Sequence, residues 1–399
     1  MSVIHFHYCN FENSGEIRRI RNINKYVASR LSDSVIEVEF YPPKHYSYIK
    51  KKENRFLLSN KVEKKYYRLI INKFAWISKW YSSIVIGLLC LKHKPDFIIG
   101  EFSSSSRSMH LVKFFSPNTK TIIDVHGASP EEYIYSHGDC TKKSVVERLT
   151  YNERYMSEAI DYIICQSDEM KRHLVKKYAA NPQKIASFKC GVDTHLFRMD
   201  ESMRNKIRKE NNISDDEIVF VYSGGLMKWQ KINESIFIYK NFHKYHPQSK
   251  FMILTRELDK INEILTQEEN KDLLDSIIVR SLTMNEVPWY LNAADIAFLI
   301  RDNDIMNAVA SPTKLGEYMA CGLPIISSEV AKFWVSEDAR QFIINSEASG
   351  DINEDIMKML AKADKTKIGE YACNNLSVEN DVESINHLFK ISEDCNANK

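Results

Sequence analysis

The chain has 399 residues, which is too many for one compact core and suits two domains of about 150–200 residues each. Hydrophobic residues make up 44% and charged residues 27%, with 12 Gly and 10 Pro, and this composition excludes collagen-like, low-complexity and wholly disordered proteins. The eight cysteines are scattered singly, which argues against zinc ribbons and secreted disulfide scaffolds. We therefore expect a globular protein of the reducing cytoplasm.

The net charge of +2 hides an asymmetry between the two halves of the chain. Residues 1–190 carry 31 Lys and Arg against 19 Asp and Glu, whereas residues 191–399 carry 24 against 34. The segment 44–94 alone has 13 basic and 2 acidic residues, interleaved with aromatic residues on a helical period. This pattern favours the headgroup region of an anionic bilayer, and no nucleic-acid motif accompanies it. The longest uncharged stretch, 80–91, is too short to cross a bilayer, which needs ~20 residues.

In chain order, short apolar runs alternate with helical patterns. The sequence predicts a helix at 17–31, and after Ser377 it predicts a capped amphipathic helix. The predicted strands are 3–8, 35–40, 96–102, 121–127 and 161–167, then, after a restart near 185–193, 217–225, 249–255, 276–281, 295–300 and 323–328. Such alternation is typical of α/β domains with largely parallel sheets. A boundary near 188–215 is expected, because the charged segment 198–217 has no strong apolar period.

The most informative loop is SPTKLGEYMACGLPII, residues 311–326. Ligands of open parallel sheets bind beyond the carboxyl ends of the strands, and a helix opening after Ser311 and Thr313 would offer its free N–H groups to a diphosphate. Lys314 would add a positive charge, and Glu317 could accept both hydroxyls of a ribose. An N-capped surface helix explains the same pattern equally well.

The loop VYSGGLMKWQK, residues 221–231, contains a second set of candidates. Gly224 and Gly225 would let a ligand approach the backbone closely, and Lys228 or Lys231 could reach a pyrophosphate. A glycine turn with solvated lysines fits the pattern as well.

Three further positions are weaker candidates. His126 ends a predicted strand beside a glycine and could face a ligand, although a lone histidine there is more often a hydrogen-bonded core residue. Gly15, in the loop after the first strand, is a candidate contact. Asp302-Asn303-Asp304 matches a short acidic metal motif, but such matches are common by chance, so we predict a loop.

Six motifs, taken together in their order, resemble those of the family 4 retaining glycosyltransferases, which have the GT-B fold. They are TIIDVHGASPEE (121–132), ICQSDEMKRHL (164–174), CGVDTHLF (190–197), VYSGGLMKWQK (221–231), WYLNAADIAFL (289–299) and the run 311–326. The resemblance implies two Rossmann-like doubly wound domains facing a cleft. An acceptor-binding domain (1–190) would be joined by a C-terminal helix at about 377–399, and a donor-binding domain would span 191–376.

The same resemblance implies roles for individual residues. Lys231 would neutralise the leaving phosphate, Glu317 would hold the ribose, and His126 would lie near the transferred sugar. The donor-binding positions that it implies are Gly15, Gly224, Gly225, Lys228, Lys231, Ser311, Pro312, Thr313, Lys314 and Glu317.

The chain departs from the family pattern at two positions. The first glutamate of the family's pair falls on Val309, and a common arginine falls on Gly225. The missing carboxylate puts the identity of the donor sugar in question more than the reaction. Arg301, Asn307 or Ser311 could contact the sugar instead.

The reaction implied is transfer of a sugar, with retention, from a nucleoside-diphosphate donor to a glycan or lipid-linked glycan acceptor in surface polysaccharide synthesis. No metal or other cofactor is expected, because fixed cations and a helix end can stabilise the leaving charge. We expect the protein to be peripheral on the inner face of the plasma membrane. Two alternatives remain: a GT-B nucleotide-sugar epimerase, and a non-catalytic membrane-docking partner of a polysaccharide complex.

Overall fold

The computed structural model describes residues 1–8, 19–24, 27, 34–41, 62–68, 75–347, 350–380, 385, 388 and 389. The chain forms two compact units, one of Met1–Lys189 with Asp381–Lys399 and one of Cys190–Asn380. In these described ranges, no helix combines the length and the apolar character needed to span a membrane.

The first unit contains a seven-stranded parallel sheet in the order β3-β2-β1-β4-β5-β6-β7. Its strands are β1 (Ser2–Tyr8), β2 (Ser34–Tyr41), β3 (Val62–Arg68), β4 (Phe97–Glu101), β5 (Lys120–Val125), β6 (Tyr162–Cys165) and β7 (Ile185–Ser187). Its helices are α1 (Ala75–His93), α2 (Val112–Phe115), α3 (Ser129–His137), α4 (Lys143–Ala159) and α5 (Asp168–Tyr178), and residues 19–24 are also helical. The strand order reverses between β1 and β4, so the loops after these two strands lie at a topological switch point.

The second unit contains a six-stranded parallel sheet in the order β10-β9-β8-β11-β12-β13. Its strands are β8 (Val219–Ser223), β9 (Lys250–Leu254), β10 (Ile277–Arg280), β11 (Ile296–Leu299), β12 (Ile325–Ser327) and β13 (Ile343–Asn345). Its helices are α6 (Glu201–Glu210), α7 (Ile232–Tyr245), α8 (Leu258–Leu265), α9 (Val287–Ala293), α10 (Ile305–Ala308), α11 (Thr313–Ala320), α12 (Ile352–Lys362) and α13 (Lys365–Asn375). Here the order reverses between β8 and β11.

Local sequence explains these elements. Every residue of β8 and β11 is buried, as expected for strands covered by helices on both faces. Helix α5 shows the signals at a helix end: the Ser167 side chain accepts a hydrogen bond from the N–H of Met170 at 3.0 Å, acidic residues fill the first turn, and Lys176 and Lys177 lie in the last.

The structure corrects the sequence predictions in two places. Strands β3 and β13, both at sheet edges, were not predicted, because β3 is mostly charged and β13 has three residues. The helical period inferred for the basic segment 44–94 fails at Val62–Arg68, which is a strand paired with β2. In agreement with the predicted lack of a strong apolar period, the segment 198–217 contains helix α6, which buries only Ile207 and Arg208.

The second unit begins and ends at one place. The N–H of Val192 donates to the carbonyl oxygen of Leu376 at 2.8 Å, and the N–H of Val378 donates to the carbonyl oxygen of Val192 at 3.1 Å. Val192 and Ser377 thus form an isolated parallel β-bridge. After this bridge, Phe389 lies in the first unit's core, with its ring centroid 5.0 Å from that of Phe97.

Candidate functional site

Helix α11 opens at the point where the sequence predicted a diphosphate site. Pro312 is its N-cap residue, and its side chain makes no capping hydrogen bond. The Ser311 hydroxyl instead accepts a hydrogen bond from the N–H of Cys190 at 3.0 Å. Among the opening N–H groups, that of Leu315 donates to the carbonyl oxygen of Pro312 at 3.0 Å, so those of Thr313 and Lys314 are the ones that would bind an anion.

The Lys314 ammonium lies against Gly224 in the loop after β8. It donates to the Oε1 atom of Gln230 at 2.7 Å and lies 4.8 Å from the centroid of the Tyr222 ring. A Cβ atom at position 224 would overlap this ammonium, and Gly224 has a φ of 145°, which favours glycine. The glycine is therefore required for the lysine to occupy this place.

A second cation, Arg301 after β11, donates to the same side-chain amide oxygen of Gln230 as Lys314 does. The Arg301 guanidinium donates to the Gln230 Oε1 atom at 2.6 Å and to the carbonyl oxygen of Trp229 at 3.0 Å. Burial lowers the pKa of Lys314 well below its ordinary value, and the positive charge of Arg301 lowers it further, whereas Glu317 acts in the opposite direction. A bound diphosphate would relieve the repulsion between the two cations.

Glu317 is buried one turn into α11, with 6% of its surface exposed. The next residue, Tyr318, anchors the helix, because its hydroxyl accepts a hydrogen bond from the N–H of Ser223 at 2.8 Å. Gly316 allows close packing of the helix, since a Cβ atom there would lie 3.0 Å from the Cβ of Val192. Glu317, which the sequence analysis proposed as the ribose-binding carboxylate, thus lies on a helix that is closely packed and anchored by Tyr318.

Lys231, the predicted partner of the leaving phosphate, lies between two carboxylates. Its ammonium is 2.9 Å from the Glu234 Oε1 atom and 2.9 Å from the Asp302 Oδ1 atom. Its hydrogen bonds to Asp302 and Glu234 raise its pKa above the ordinary value. Lys228, in the same loop, is exposed. The structure therefore gathers Lys314 and Arg301 about Gln230, and it gives Lys231 other partners.

The acidic motif 302–304 does form a loop and a helix cap. The Asp304 Oδ1 atom accepts hydrogen bonds from the N–H of Asn307 at 2.8 Å and from its side-chain amide at 3.1 Å. The Asn307 side chain is thus engaged in capping α10. Val309, at the position of the family's first glutamate, is 3% exposed and presents no polar group there.

Sequence reasoning missed three residues of this region: Tyr222, Gln230 and Glu257. The Glu257 Oε1 atom accepts a hydrogen bond from the N–H of Leu226 at 2.6 Å and would lie 3.0 Å from a Cβ atom at position 225. Tyr222 and Gln230 lie inside the motif 221–231 but carry no charge that would single them out, and Glu257 follows a different strand, β9. Gly15, a candidate donor contact, lies outside the described residues.

His126 belongs to a buried cluster of charges in the first unit. Its Nε2 atom pairs with the Oε2 atom of Glu101, and it lies 3.4 Å from the Oδ2 atom of Asp124. The other Glu101 oxygen pairs with the Nε2 atom of His5. Arg19 donates to both Asp124 oxygens, at 2.7 and 2.6 Å. These residues surround the carboxyl ends of β1, β4 and β5.

The balance of charges keeps this cluster ionised. Burial alone would lower the pKa of His126, but attraction to Glu101 and Asp124 outweighs burial and raises it to about 10. Burial alone would raise the pKa of Glu101, but the two histidines lower it below its usual range. His126 is therefore an imidazolium at neutral pH, and its ring packs against that of Phe102 at 4.5 Å between centroids.

Two family models match the chain, and together they cover most of it. The model described as Glycosyl transferases group 1 matches residues 203–374, and the model Glycosyltransferase Family 4 matches residues 24–196. The chain belongs to the family 4 glycosyltransferases. The sequence resemblance is thereby confirmed.

One curated relative of this glycosyltransferase is the chitobiosyldiphosphodolichol beta-mannosyltransferase of Debaryomyces hansenii, 22% identical over 295 residues. The match covers 67% of this chain and 61% of the relative, which is less than two thirds of the relative's length. Two solved structures are similar over nearly the whole chain. The structure of HepE from Anabaena in complex with UDP matches with a TM-score of 0.73 and 13% sequence identity. This match covers 98% of this chain and 100% of the HepE chain. The structure of WaaG, a glycosyltransferase involved in lipopolysaccharide biosynthesis, matches with a TM-score of 0.66 and 13% sequence identity. This match covers 98% of this chain and 99% of the WaaG chain. These likenesses confirm the predicted GT-B fold.

Proposed function

We propose that the protein is a retaining glycosyltransferase that moves a sugar from a nucleoside-diphosphate donor to a glycan or lipid-linked glycan in surface polysaccharide synthesis. The observation that carries the proposal is the pairing of Lys314 and Arg301 about Gln230, beside the open N-terminus of α11. The UDP in the HepE complex and the diphosphodolichol-linked acceptor named for the Debaryomyces hansenii relative are consistent with a nucleoside-diphosphate donor and a lipid-linked acceptor.

In this proposal, each residue near α11 has one task. The N–H groups that open the helix, with Lys314 and Arg301, bind the diphosphate and stabilise the charge that develops as it leaves. The Glu317 carboxylate accepts hydrogen bonds from the two ribose hydroxyls. Lys231 turns to the phosphate when a donor displaces it from Asp302. Arg301, the two lysines and the N-terminus of α11 supply positive charge at the bound diphosphate, so the proposed reaction needs no metal ion or other cofactor.

His126 is the proposed contact for the sugar or the acceptor. Because Glu101 holds its Nε2 atom, the Nδ1 N–H of the imidazolium is the group that remains to donate a hydrogen bond to a sugar oxygen. A charged histidine would be a donor and not a general base. No protein nucleophile is required in this scheme.

The proposal is tested by nucleotide release from UDP-, GDP-, ADP- and CMP-sugars, with and without chelator, and by the anomeric configuration of the product. We expect release from one donor that resists chelation and falls at least about 100-fold in Glu317→Gln. The matched control is Glu354→Gln, an exposed carboxylate with 64% of its side chain accessible, which should leave the rate unchanged. Loss of release in chelator would contradict the metal-independent scheme, and an inverted product would contradict retention.

A non-catalytic role is the second candidate, and buried Val309 is the observation that favours it. Nucleotide binding without release from any donor would support that role. Conversion of the donor sugar without release would support an epimerase. With a lipid-linked acceptor, the proposed location is the inner face of the plasma membrane.

A further inference from the structure

Helix α1 exposes an apolar face. Trp80, Ile84, Leu88 and Leu91 are 54%, 46%, 50% and 49% exposed, and their spacing of four, four and three residues places them along one side of the helix. The opposite side is buried, for example at Ile86, which has no exposed surface. Four neighbouring large apolar side chains on a helix surface are uncommon unless a partner covers them.

A fifth side chain extends this surface from the next helix. Phe115 of α2 packs against Gly87, where a Cβ atom would overlap its ring. The adjacent Phe114 is 79% exposed, and its ring centroid is 5.2 Å from that of Phe115. We name the residues Trp80, Ile84, Leu88, Leu91 and Phe114 the apolar stripe.

Three cations lie near the Trp80 end of the apolar stripe. Lys79 precedes Trp80, and the Arg107 guanidinium lies 5.5 Å from the ring centroid of Tyr151, which is three residues after Arg148 in α4. Burial lowers the pKa of Lys79, and the positive charges of Arg107 and Arg148 lower it further. None of the three cations forms an ion pair within the described part of the chain. The Nδ1 N–H of His110 donates a hydrogen bond to the carbonyl oxygen of Arg107 at 2.7 Å, and the His110 ring centroid lies 5.2 Å from that of Trp80. The cations are therefore next to the stripe, and no carboxylate among the described residues forms an ion pair with them.

We propose that the apolar stripe and this cation cluster form a surface that docks on an anionic lipid bilayer, with the stripe in the interface and the cations on lipid phosphates. The proposal goes beyond sugar transfer and holds independently of it. Charge complementarity selects the occupant: a second copy of the chain would bring the same cations, whereas an anionic membrane supplies the missing counter-charge. The four stripe residues on α1 also lie within the segment 44–94, which has 13 basic and 2 acidic residues.

The test is flotation of the full-length protein with vesicles of phosphatidylcholine alone and of phosphatidylcholine with phosphatidylglycerol. Wild type should float with the anionic vesicles and remain unbound with the neutral ones. Leu88→Glu should abolish flotation, and Arg148→Gln should lower the partition coefficient about fivefold, the effect of one cation near the surface. Raising the salt concentration should weaken binding of the wild type.

Matched controls come from the second unit. Phe237→Glu changes an apolar side chain that is 65% exposed on α7, and Lys244→Gln removes one exposed cation, so both should bind as the wild type does. Equal loss in Phe237→Glu and Leu88→Glu would overturn the assignment of the surface. Equal binding to both vesicle types would overturn the role of the cations. A wild-type dimer in sedimentation velocity that Leu88→Glu dissociates, without vesicle binding, would show that a second copy covers the stripe.

Discussion

The ammonium group of Lys314 occupies the space that a Cβ atom would fill at position 224, where the chain has glycine. The glycine and the lysine come from different loops, after β8 and at the start of α11. The backbone at Gly224 has a φ of 145°, so any other residue there is strained whatever the space around it.

Gly224→Ala should therefore damage nucleotide binding more than stability. The lysine side chain can move aside, but it then leaves Gln230, and we expect nucleoside-diphosphate affinity to fall at least about tenfold. The strained backbone should lower the free energy of unfolding by about 1–3 kcal/mol. Calorimetric titration and urea unfolding measure the two effects. Gly350→Ala is the control, because the nearest atom to a Cβ there is 3.9 Å away; an unchanged affinity in Gly224→Ala would contradict the assignment.

Nucleotide binding should depend on pH through Lys314. Because burial lowers the pKa of this lysine, part of the unliganded protein has a neutral amine below the ordinary pKa of about 10. A diphosphate favours the charged form, so binding should take up protons and affinity should rise as the pH falls through the alkaline range. Calorimetry in buffers of different ionisation enthalpy detects this uptake. Lys314→Arg, which stays charged, should abolish it, and the same uptake in that variant would assign the proton elsewhere.

The His126 cluster should stabilise the protein in a pH-dependent manner. The pKa of His126 is raised from 6.5 to about 10, so its stabilising contribution is complete below pH 6.5 and is lost as the pH rises through about 10. His126→Gln should lower the free energy of unfolding by about 3–5 kcal/mol at neutral pH, because Glu101 and Asp124 keep their buried charge. The deficit should shrink by pH 10. Urea unfolding at several pH values tests this, with the exposed His137→Gln as control; a deficit that does not change with pH would contradict it.

Asp295 neutralises three cations in the second unit. Its oxygens lie 2.8 Å from Arg204, 3.3 Å from Lys365 and 3.4 Å from Arg208. Asp295→Asn should lower the free energy of unfolding by about 3–5 kcal/mol, because Arg208 remains buried without its counter-charge. Glu268→Gln, in an exposed pair with Lys271, should change it by less than about 1 kcal/mol. Similar values for the two variants in urea unfolding would contradict the role of burial.

Asp295 should also account for part of the loss of stability at acid pH. Burial alone would raise the pKa of Asp295, but the surrounding cations lower it below its ordinary 3.8. Its contribution is therefore present above pH 3.8 and lost as the pH falls further. Asp295→Asn should remove part of the acid sensitivity of the wild type in the same experiments.

The strands that could be predicted are those with buried apolar runs, such as β8 and β11. The edge strands β3 and β13 were not predicted. A strand at the edge of a sheet pairs with another strand on one side only, so it can carry charged residues, as β3 does, or be as short as β13. Parallel alternation and motif order together sufficed for the fold. The alternation reflects which residues are buried, and burial shows in the pattern of apolar residues within each short segment of the sequence.

The candidate site could be predicted only in part, because its geometry depends on residues far apart in sequence. Lys314 and Glu317 were nominated from one helix opening. Gln230 carries no local signal, yet it joins Lys314 and Arg301 through one oxygen. The ion pairs of Lys231 with Glu234 and Asp302 likewise depend on where the loop after β11 folds back.

The bridge between Val192 and Ser377 makes residues 190–380 a removable segment of the chain. Both points at which the polypeptide enters and leaves this segment are hydrogen-bonded neighbours, so the flanking chain could be closed across it by a short linker. Recombination at the two ends of this segment would exchange all of residues 190–380 in one event. A lineage could in this way acquire a new nucleotide-binding half while the other half of the protein stays as it was.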